Sequence, residues 1–236
     1  MSTIGNEIQT LYHLARPILK RSLPIKERLE YFYSGQAEGY DDFRKRLLHG
    51  REPLFSALPF KRNCIWIDLG AGTGSNLEYV TENLGALKSI YLIDLCPSLL
   101  RMANERIQRM GLKNTQCIEA DATEWVPPEG KADVVTLSYS LTMIPDWKAA
   151  IDHAHSLLEP GGVIGVTDFY VSEKHSWIAR KALPAWFQID HVYLSDEHLP
   201  YLHERFTTVK VLEDSGPIPF VPGLRAPFYS FVGRKS

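Results

Sequence analysis

The chain has 236 residues, 44% of them hydrophobic and 23% charged, with a formal net charge of −2 at pH 7. That length is ample for one hydrophobic core, and a single α/β domain with extra segments is the natural expectation. The near-neutral balance argues against a dedicated nucleic-acid binder, and no apolar run reaches the roughly 18 residues that a membrane span needs. The charge is uneven: residues 1–62 hold 11 Lys/Arg against 7 Asp/Glu, which leaves 15 against 21 for the rest. A basic N-terminal segment on an acidic body is either a solvated helix face or a surface for anionic head groups, with Arg16, Lys20, Arg21, Lys26 and Arg28 as its cations. Cys64, Cys96 and Cys117 show no metal-ligand spacing and read as small buried residues of a reducing compartment. Nothing near the N-terminus has the charged-then-apolar form of a secretion signal. A cytoplasmic protein is expected, with at most peripheral membrane contact.

In chain order, an amphipathic stretch with Ile8, Leu11, Tyr12 and Ala15 ends near Pro17. A second helical segment is expected from about Ile25 to Leu48, interrupted near Gly35 and Gly39. Residues 1–60 are expected to form a helical lid or substrate segment, and 61–236 the core. Strands are predicted near 64–68, 89–94, 115–119, 132–138 and 162–168, and helices near 75–84, 97–110 and 147–158, the last closed by Pro160-Gly161-Gly162. Such alternation implies a mostly parallel, doubly wound sheet with helices on both faces. Inserted helices follow within 174–204, and strands near 206–213 and 227–233 finish the chain. The proline-rich link from Gly216 to Gly223 is too rigid and apolar for a solvated loop, so it is expected on the body or near a substrate mouth.

The chain is organised around Cys64-Ile65-Trp66-Ile67-Asp68-Leu69-Gly70-Ala71-Gly72-Thr73-Gly74. A strand-type apolar run reaches an Asp, and a glycine-rich turn follows at once. Glycines there allow a sharp turn and a close ligand approach, ahead of a predicted helix whose N-terminus would point at that ligand. A dinucleotide site needs its third glycine where Ser75 stands. A structural tight turn would also explain the glycines. The spacing G-x-G-x-G after an acid resembles the first motif of class I S-adenosylmethionine-dependent methyltransferases, and the resemblance implies their Rossmann-like fold: seven mostly parallel strands with the last antiparallel. Two further apolar runs end on carboxylates, at Asp94 and Asp121. An acid at the first of these positions can accept both hydroxyls of a ribose, although a strand-end turn or helix cap would also use one. The resemblance implies adenine contact for Asp121. S-adenosylmethionine is therefore the expected cofactor, held by Asp68, Gly70, Ala71, Gly72, Asp94, Leu95, Asp121, Ala122 and Ser138.

The end of strand four reads Ser138-Tyr139-Ser140-Leu141-Thr142-Met143-Ile144-Pro145-Asp146-Trp147. It lacks the Asn/Asp-Pro-Pro-aromatic motif that enzymes methylating planar amide or base nitrogens often carry there. The core thus points to a small molecule or lipid as acceptor. The flanks carry a narrower likeness. Phe32 to Arg44, Leu47 to Glu52, Val166 to Tyr170, Val221 to Tyr229 and Phe231 to Lys235 resemble the methyltransferase of betaine-lipid synthesis. The likeness covers most of the chain from about residue 28.

That resemblance implies three successive N-methylations of diacylglyceryl-homoserine to the trimethyl betaine lipid. It also implies a separate 3-amino-3-carboxypropyl transferase as the source of the precursor. Aromatic faces suit a head group that becomes more cationic, which makes Tyr33, Tyr40, Tyr139 and Tyr170 candidates, with core packing as the plainer role of each. Tyr33 and Tyr40 belong to the expected lid, Tyr33 toward the cofactor and Tyr40 toward the amine. Asp168 is the candidate to orient the amine or take its proton; a capping role would equally place an acid there. Arg51 is a candidate partner for a carboxylate of cofactor or substrate, or else a surface residue. His49 stands beside it. His153 and His155, at i and i+2 of a predicted helix, point apart, and no metal site is expected. Two other readings stay open: methylation of a soluble amine or hydroxyl, and a cofactor-binding scaffold without chemistry of its own.

Overall fold

In the computed structural model, the residues described are Glu27, 45–175, 177–188, 192–219 and 223–236, without the side chains at 178, 179, 182 and 186. The first amphipathic stretch, its basic residues and most of the second helical segment lie outside them, as do Tyr33 and Tyr40.

Seven strands form one sheet: β1 Ile65–Leu69, β2 Ser89–Asp94, β3 Thr115–Glu119, β4 Ala132–Ser138, β5 Leu158–Phe169, β6 Thr207–Pro217 and β7 Arg225–Arg234. Their order is β3-β2-β1-β4-β5-β7-β6. β7 runs antiparallel to both of its neighbours, and the other pairings are parallel. The central strands are buried on both faces, and so read as continuous apolar runs. β1 is buried at every position. Its side chains alternate. Ile65, Ile67 and Leu69 join one apolar cluster, while Trp66 joins the cluster on the other face.

Helices cover both faces. α1 Arg51–Phe55 and α2 Pro97–Met110 send Leu54, Phe55, Ala103 and Ile107 into the Trp66 cluster. α3 Trp147–Leu157 and α5 His198–Arg205 supply Ala150, Ile151, Ala154 and Leu202 to the other. α4 Trp177–Phe187 lies beyond β5, and its Leu183 and Phe187 pack in a third cluster with Tyr139 and Phe169. α2 starts on Pro97 and stops at Gly111, whose φ of 65° is left-handed, as helix-boundary chemistry requires. The Asp146 side chain caps α3 by accepting from the Ala149 N–H at 3.1 Å.

Three elements differ from the expectation. Residues 75–84 form no α-helix. Ser75–Tyr79 and Leu84–Ala86 are separate 3-10 turns, because buried Asp68 captures the Asn76 amide at 2.9 Å and Val80 leaves helical geometry at φ −124°. The Pro160-Gly161-Gly162 stretch does not close a helix from outside the sheet. It lies within β5, where Leu158 already pairs with Ala132. Third, α1 is built into the body, with Leu54, Phe55 and Leu58 in the same cluster as Trp66 and Val134. The proline-rich link does settle on the body at its described end: Ile218 is buried beside Leu48 and Tyr139.

One packing feature makes stability depend on pH. His198, in the first turn of α5, is 1% exposed and stands edge-on to Trp147 of α3 at 4.6 Å. Among the described residues neither ring nitrogen has a hydrogen-bond partner, so burial pushes its pKa down to about 4. A depressed histidine contributes stability above its unfolded pKa of about 6.5 and loses it as pH falls toward the folded value. Buried Asp68 and Asp168, both pushed up to about 6, act in the opposite sense as pH falls. A His198→Phe variant isolates the histidine, because the carboxylates cancel in the difference. Its stability advantage over the parent chain in urea unfolding should widen by about 2 kcal/mol between pH 7 and pH 5. A gap independent of pH would show that His198 is not buried neutral.

Candidate active site

The sheet order reverses between β1 and β4: β2 and β3 extend to one side, and β4 and β5 to the other. Ligands of open α/β sheets bind outside the carboxyl ends of the strands at this point. A cleft of about 290 Å³ opens there, at the small end of the range for ligand pockets. Gly70, Gly72, Asp94, Leu95, Leu99, Asp121, Ala122 and Tyr139 line it, with Ser140 and the run Met143 to Asp146.

The glycine loop is fastened to the end of β2. The Ile93 carbonyl accepts from the Gly70 N–H at 2.8 Å and the Ala71 N–H at 2.9 Å. One carboxylate oxygen of Asp94 accepts from the Gly72 N–H at 2.8 Å, and the other from the Cys96 N–H at 2.9 Å. Gly70, with φ 71°, has no room for a side chain: a Cβ would fall 2.4 Å from that of Ser140. Gly72, with φ 57°, is the opposite case, since a Cβ there would meet nothing nearer than Leu99 at 3.9 Å. The space that its missing side chain leaves is cleft space. The residues therefore fit a nucleoside ligand: an open cradle at Gly72, a carboxylate at the end of β2, and an apolar wall of Leu95, Leu99 and Ala122. Asp121, at the end of β3, closes its own turn by accepting from the N–H and hydroxyl of Thr123 at 2.8 and 2.7 Å.

Behind this wall sits a buried cation. Arg51 is 6% exposed. Its Nε donates to the Ser138 hydroxyl at 3.0 Å and one terminal nitrogen to the Ser75 hydroxyl at 3.1 Å. Its Cζ lies 5.6 Å from the centre of the Tyr139 ring, a cation–π distance. Tyr139 has a φ of 57°, a left-handed conformation that costs a bulky residue about 1–3 kcal/mol. It persists because the surroundings hold it. The backbone N–H donates to Thr167 at 2.8 Å, the hydroxyl donates to the His49 carbonyl, and Phe169 meets the ring edge-on at 4.6 Å. Burial pushes the phenol pKa upward, with Asp168 adding to the rise.

Several expected site residues stand elsewhere. Asp168 is fully buried and does not line the cleft. It accepts from the Thr142 N–H and hydroxyl at 3.1 and 2.7 Å and from the Phe169 N–H at 2.8 Å. It therefore fastens the turn after β4 to β5, which is the capping alternative. Tyr170 is buried too, its hydroxyl donating to Glu213 at 2.7 Å. Asp68, also fully buried, holds Asn76 at 2.9 Å and the Thr136 hydroxyl at 2.6 Å. It shapes the turn behind the glycine loop without reaching the cleft. Burial pushes its pKa up to about 6 against the pull of those bonds and of Arg51. Ala71 and Ser138 are buried and neither lines the cleft, and the His49 ring meets the Pro217 carbonyl at 3.1 Å. Missing from the expected set are Leu99, Ala120 and Thr123, together with Ser140 and the Met143 to Asp146 run. The signal for that run was the Ile-Pro-Asp just ahead of a helix, which is both a turn and an N-cap signature. Asp168→Asn must turn its amide NH2 toward either the Thr142 or the Phe169 N–H and should cost about 2 kcal/mol in urea unfolding; unchanged stability would point to a carboxylate free to act elsewhere.

The methyltransferase-domain family profile matches residues 35–209. Among curated proteins, a demethylmenaquinone methyltransferase of Geobacillus stearothermophilus is 22% identical over 143 residues, which is 58% of this chain and 61% of the relative. The chain spans about half to three fifths of the length of the curated relatives it matches. Among solved structures, the fold is similar to Haemonchus contortus phosphoethanolamine N-methyltransferase 2 in complex with phosphomonomethylethanolamine and S-adenosylhomocysteine. That match has a TM-score of 0.72 at 13% identity over 91% of this chain and 61% of the other. A Burkholderia thailandensis 1,6-didemethyltoxoflavin-N1-methyltransferase with bound 1,6-didemethyltoxoflavin and S-adenosylhomocysteine matches at TM-score 0.61 and 20% identity, over 88% and 87% of the two chains. The seven strands with one antiparallel member, the fastened glycine loop and the family match agree: the chain belongs to the methyltransferase-domain family, with the Rossmann-like class I fold.

Proposed function

We propose that the chain is an N-methyltransferase acting on the lipid-linked amine diacylglyceryl-homoserine, carrying it in three steps to the trimethyl betaine lipid. The observation that carries this reading is a convergence of segments. Leu47 to Glu52, Val166 to Tyr170 and the β7 stretches on either side of Ser230, which resemble the betaine-lipid enzymes, meet one another, with His49 stacked on Phe228 at 6.1 Å. The Ser230 hydroxyl lies 3.0 Å from the Gly50 carbonyl and 3.1 Å from the Thr167 hydroxyl, with one proton to give to either, and the Tyr139 hydroxyl donates to the His49 carbonyl. A generic cofactor core needs none of these contacts. The similar fold of a phosphoethanolamine N-methyltransferase supports an amine acceptor.

The cofactor is S-adenosylmethionine, which supplies a methyl already activated on a sulfonium. The protein then has mainly to align amine, methyl and sulfur. Gly70 and Gly72 would admit the cofactor's backbone-facing side, and Asp94 would accept the ribose hydroxyls. A carboxylate has roughly four lone-pair sites and can do so while keeping its two N–H bonds. Arg51 would bias the glycine-loop end toward a carboxylate. The first acceptor amine is largely protonated at neutral pH, with a pKa near that of an α-amino group, about 8. Asp168 is sealed and Tyr139 keeps its proton, so water at the mouth, where Asp146 is exposed, would take the amine proton. A trimethylated nitrogen has no lone pair, and the reaction stops there.

A second reading takes the acceptor named by the curated relatives, a demethylmenaquinone. The deciding assay is methyl transfer from radiolabelled S-adenosylmethionine to each acceptor in detergent micelles, resolved by chromatography. Label moving through mono- and dimethyl lipid to the trimethyl product is the expected result; label in the quinone alone would reverse the order of the two readings. Asp94→Ala should weaken S-adenosylmethionine binding about tenfold or more in calorimetry, on the scale of hydrogen bonds to a charged group. Arg51→Met removes a buried cation whose partners stay behind. It should raise the KM for the cofactor and shift the Asp68 carboxyl further upward.

A further inference from the structure

α4 presents two unlike faces. Leu183 and Phe187 are buried, Phe187 meeting the Phe169 ring at 4.7 Å in the cluster that also holds Tyr139 of the cleft wall. On another face Trp177 is 75% exposed, and Arg180, Lys181 and Ala185 are exposed with it. Trp177 exceeds every other exposed large apolar side chain among the described residues, Val126 being next at 53%. A single exposed apolar side chain is ordinary; what singles this one out is the pair of cations beside it on the same face of the helix. Tyr193, half-exposed, lies past the other end of the helix, where the Val192 N–H returns to the Phe187 carbonyl at 3.1 Å.

The charge around this aromatic is one-sided. From Lys174 to Gln188 the sequence holds three Lys/Arg and no Asp/Glu, in a chain whose net charge is −2. The acids nearest in sequence are Glu173, which is exposed, and Asp190, while half-buried Glu213 is bound by Lys174 at 2.6 Å. Among the described residues Arg180 and Lys181 form no ion pair. Exposed tryptophan flanked by cations is the chemistry of the bilayer interface: the indole enters the head-group layer and the cations meet anionic lipid. No helix of the described residues is long and apolar enough to cross a membrane, so the contact would be at the surface.

We propose that the outer face of α4, with Trp177 inserted and Arg180 and Lys181 on the head groups, docks the protein on an anionic bilayer. The inner face of the same helix then sets the cleft beside that surface. This rests on the lipid-amine reading for its purpose, though not for its evidence. A lipid acceptor can reach the cleft from the bilayer edge without leaving it entirely.

The test is co-sedimentation with neutral phosphatidylcholine vesicles and with vesicles enriched in phosphatidylglycerol, alongside methyl transfer to diacylglyceryl-homoserine in micelles. The parent chain should bind the anionic vesicles, less so at high salt. A Trp177→Ala, Arg180→Glu, Lys181→Glu variant should bind at least about tenfold more weakly while keeping its melting temperature and its micellar activity. Equal binding to both vesicle types, or undiminished binding by the variant, overturns the proposal. Micellar activity without vesicle binding by the parent chain would sink the docking face and leave the lipid substrate standing. Vesicle binding without lipid methylation would do the reverse.

Discussion

The constraint on which the site depends is the fastening of the glycine loop to the end of β2. Two backbone N–H groups converge on the Ile93 carbonyl and a third on the Asp94 carboxylate. Three glycines in the left-handed region, at 70, 72 and 74, give up a large conformational entropy on folding. Without those bonds the loop would not keep one shape. Asp94 thus serves twice, as the anchor of the loop and as the acceptor a ribose would meet, so loop shape and ligand recognition cannot vary independently.

The second constraint is electrostatic. Arg51 and Asp68 are both removed from water, and each acts on the other through a medium in which charge is poorly screened. Neither is bare. Asp68 is bonded by Asn76 and Thr136, and Arg51 by the hydroxyls of Ser75 and Ser138. The two networks grip opposite sides of the turn that follows the glycine loop, which replaces the missing α-helix with a short 3-10 segment. Ordinary helix propensity would not predict that outcome. The turn is set by buried polar partners drawn from β1, β4 and α1, elements far apart in sequence.

This explains which parts were legible in the sequence. The bounds of β1 to β4 and of α2 could be read because they are local: apolar runs of strand length, a proline opening and a glycine closing α2. The cofactor loop was legible for the same reason, since glycine spacing is a local record of backbone need. An acid at the end of a strand looks alike in sequence whether it faces ligand or accepts N–H groups from the next turn, as Asp168 does. Only the register of β4 against β5 reveals that Thr142 is its partner. Arg51 was singled out by type, yet its burial depends on α1, a five-residue helix too short for periodicity to announce. The sequence offers Tyr139 as an aromatic wall, but no local pattern forecasts a left-handed φ for a tyrosine.

Tyr139 then becomes the point where the generic core and the particular chain meet. Its backbone belongs to the exit of β4, at the carboxyl ends of the strands where ligands of open α/β sheets bind. Its hydroxyl is held by His49, its ring by Phe169 and Arg51, and Phe169 in turn by Phe187 of α4. The strained conformation is therefore supported by segments on both sides of the core fold in sequence, the approach to α1 and the insertion after β5. A cleft whose wall is positioned by such flanks can change its acceptor as the flanks change while the loop at Gly70 to Gly74 stays the same. That separation is the physical reason a cofactor is easier to infer from this core than an acceptor, and why the acceptor has to be argued from the residues around His49, Gly50 and β7.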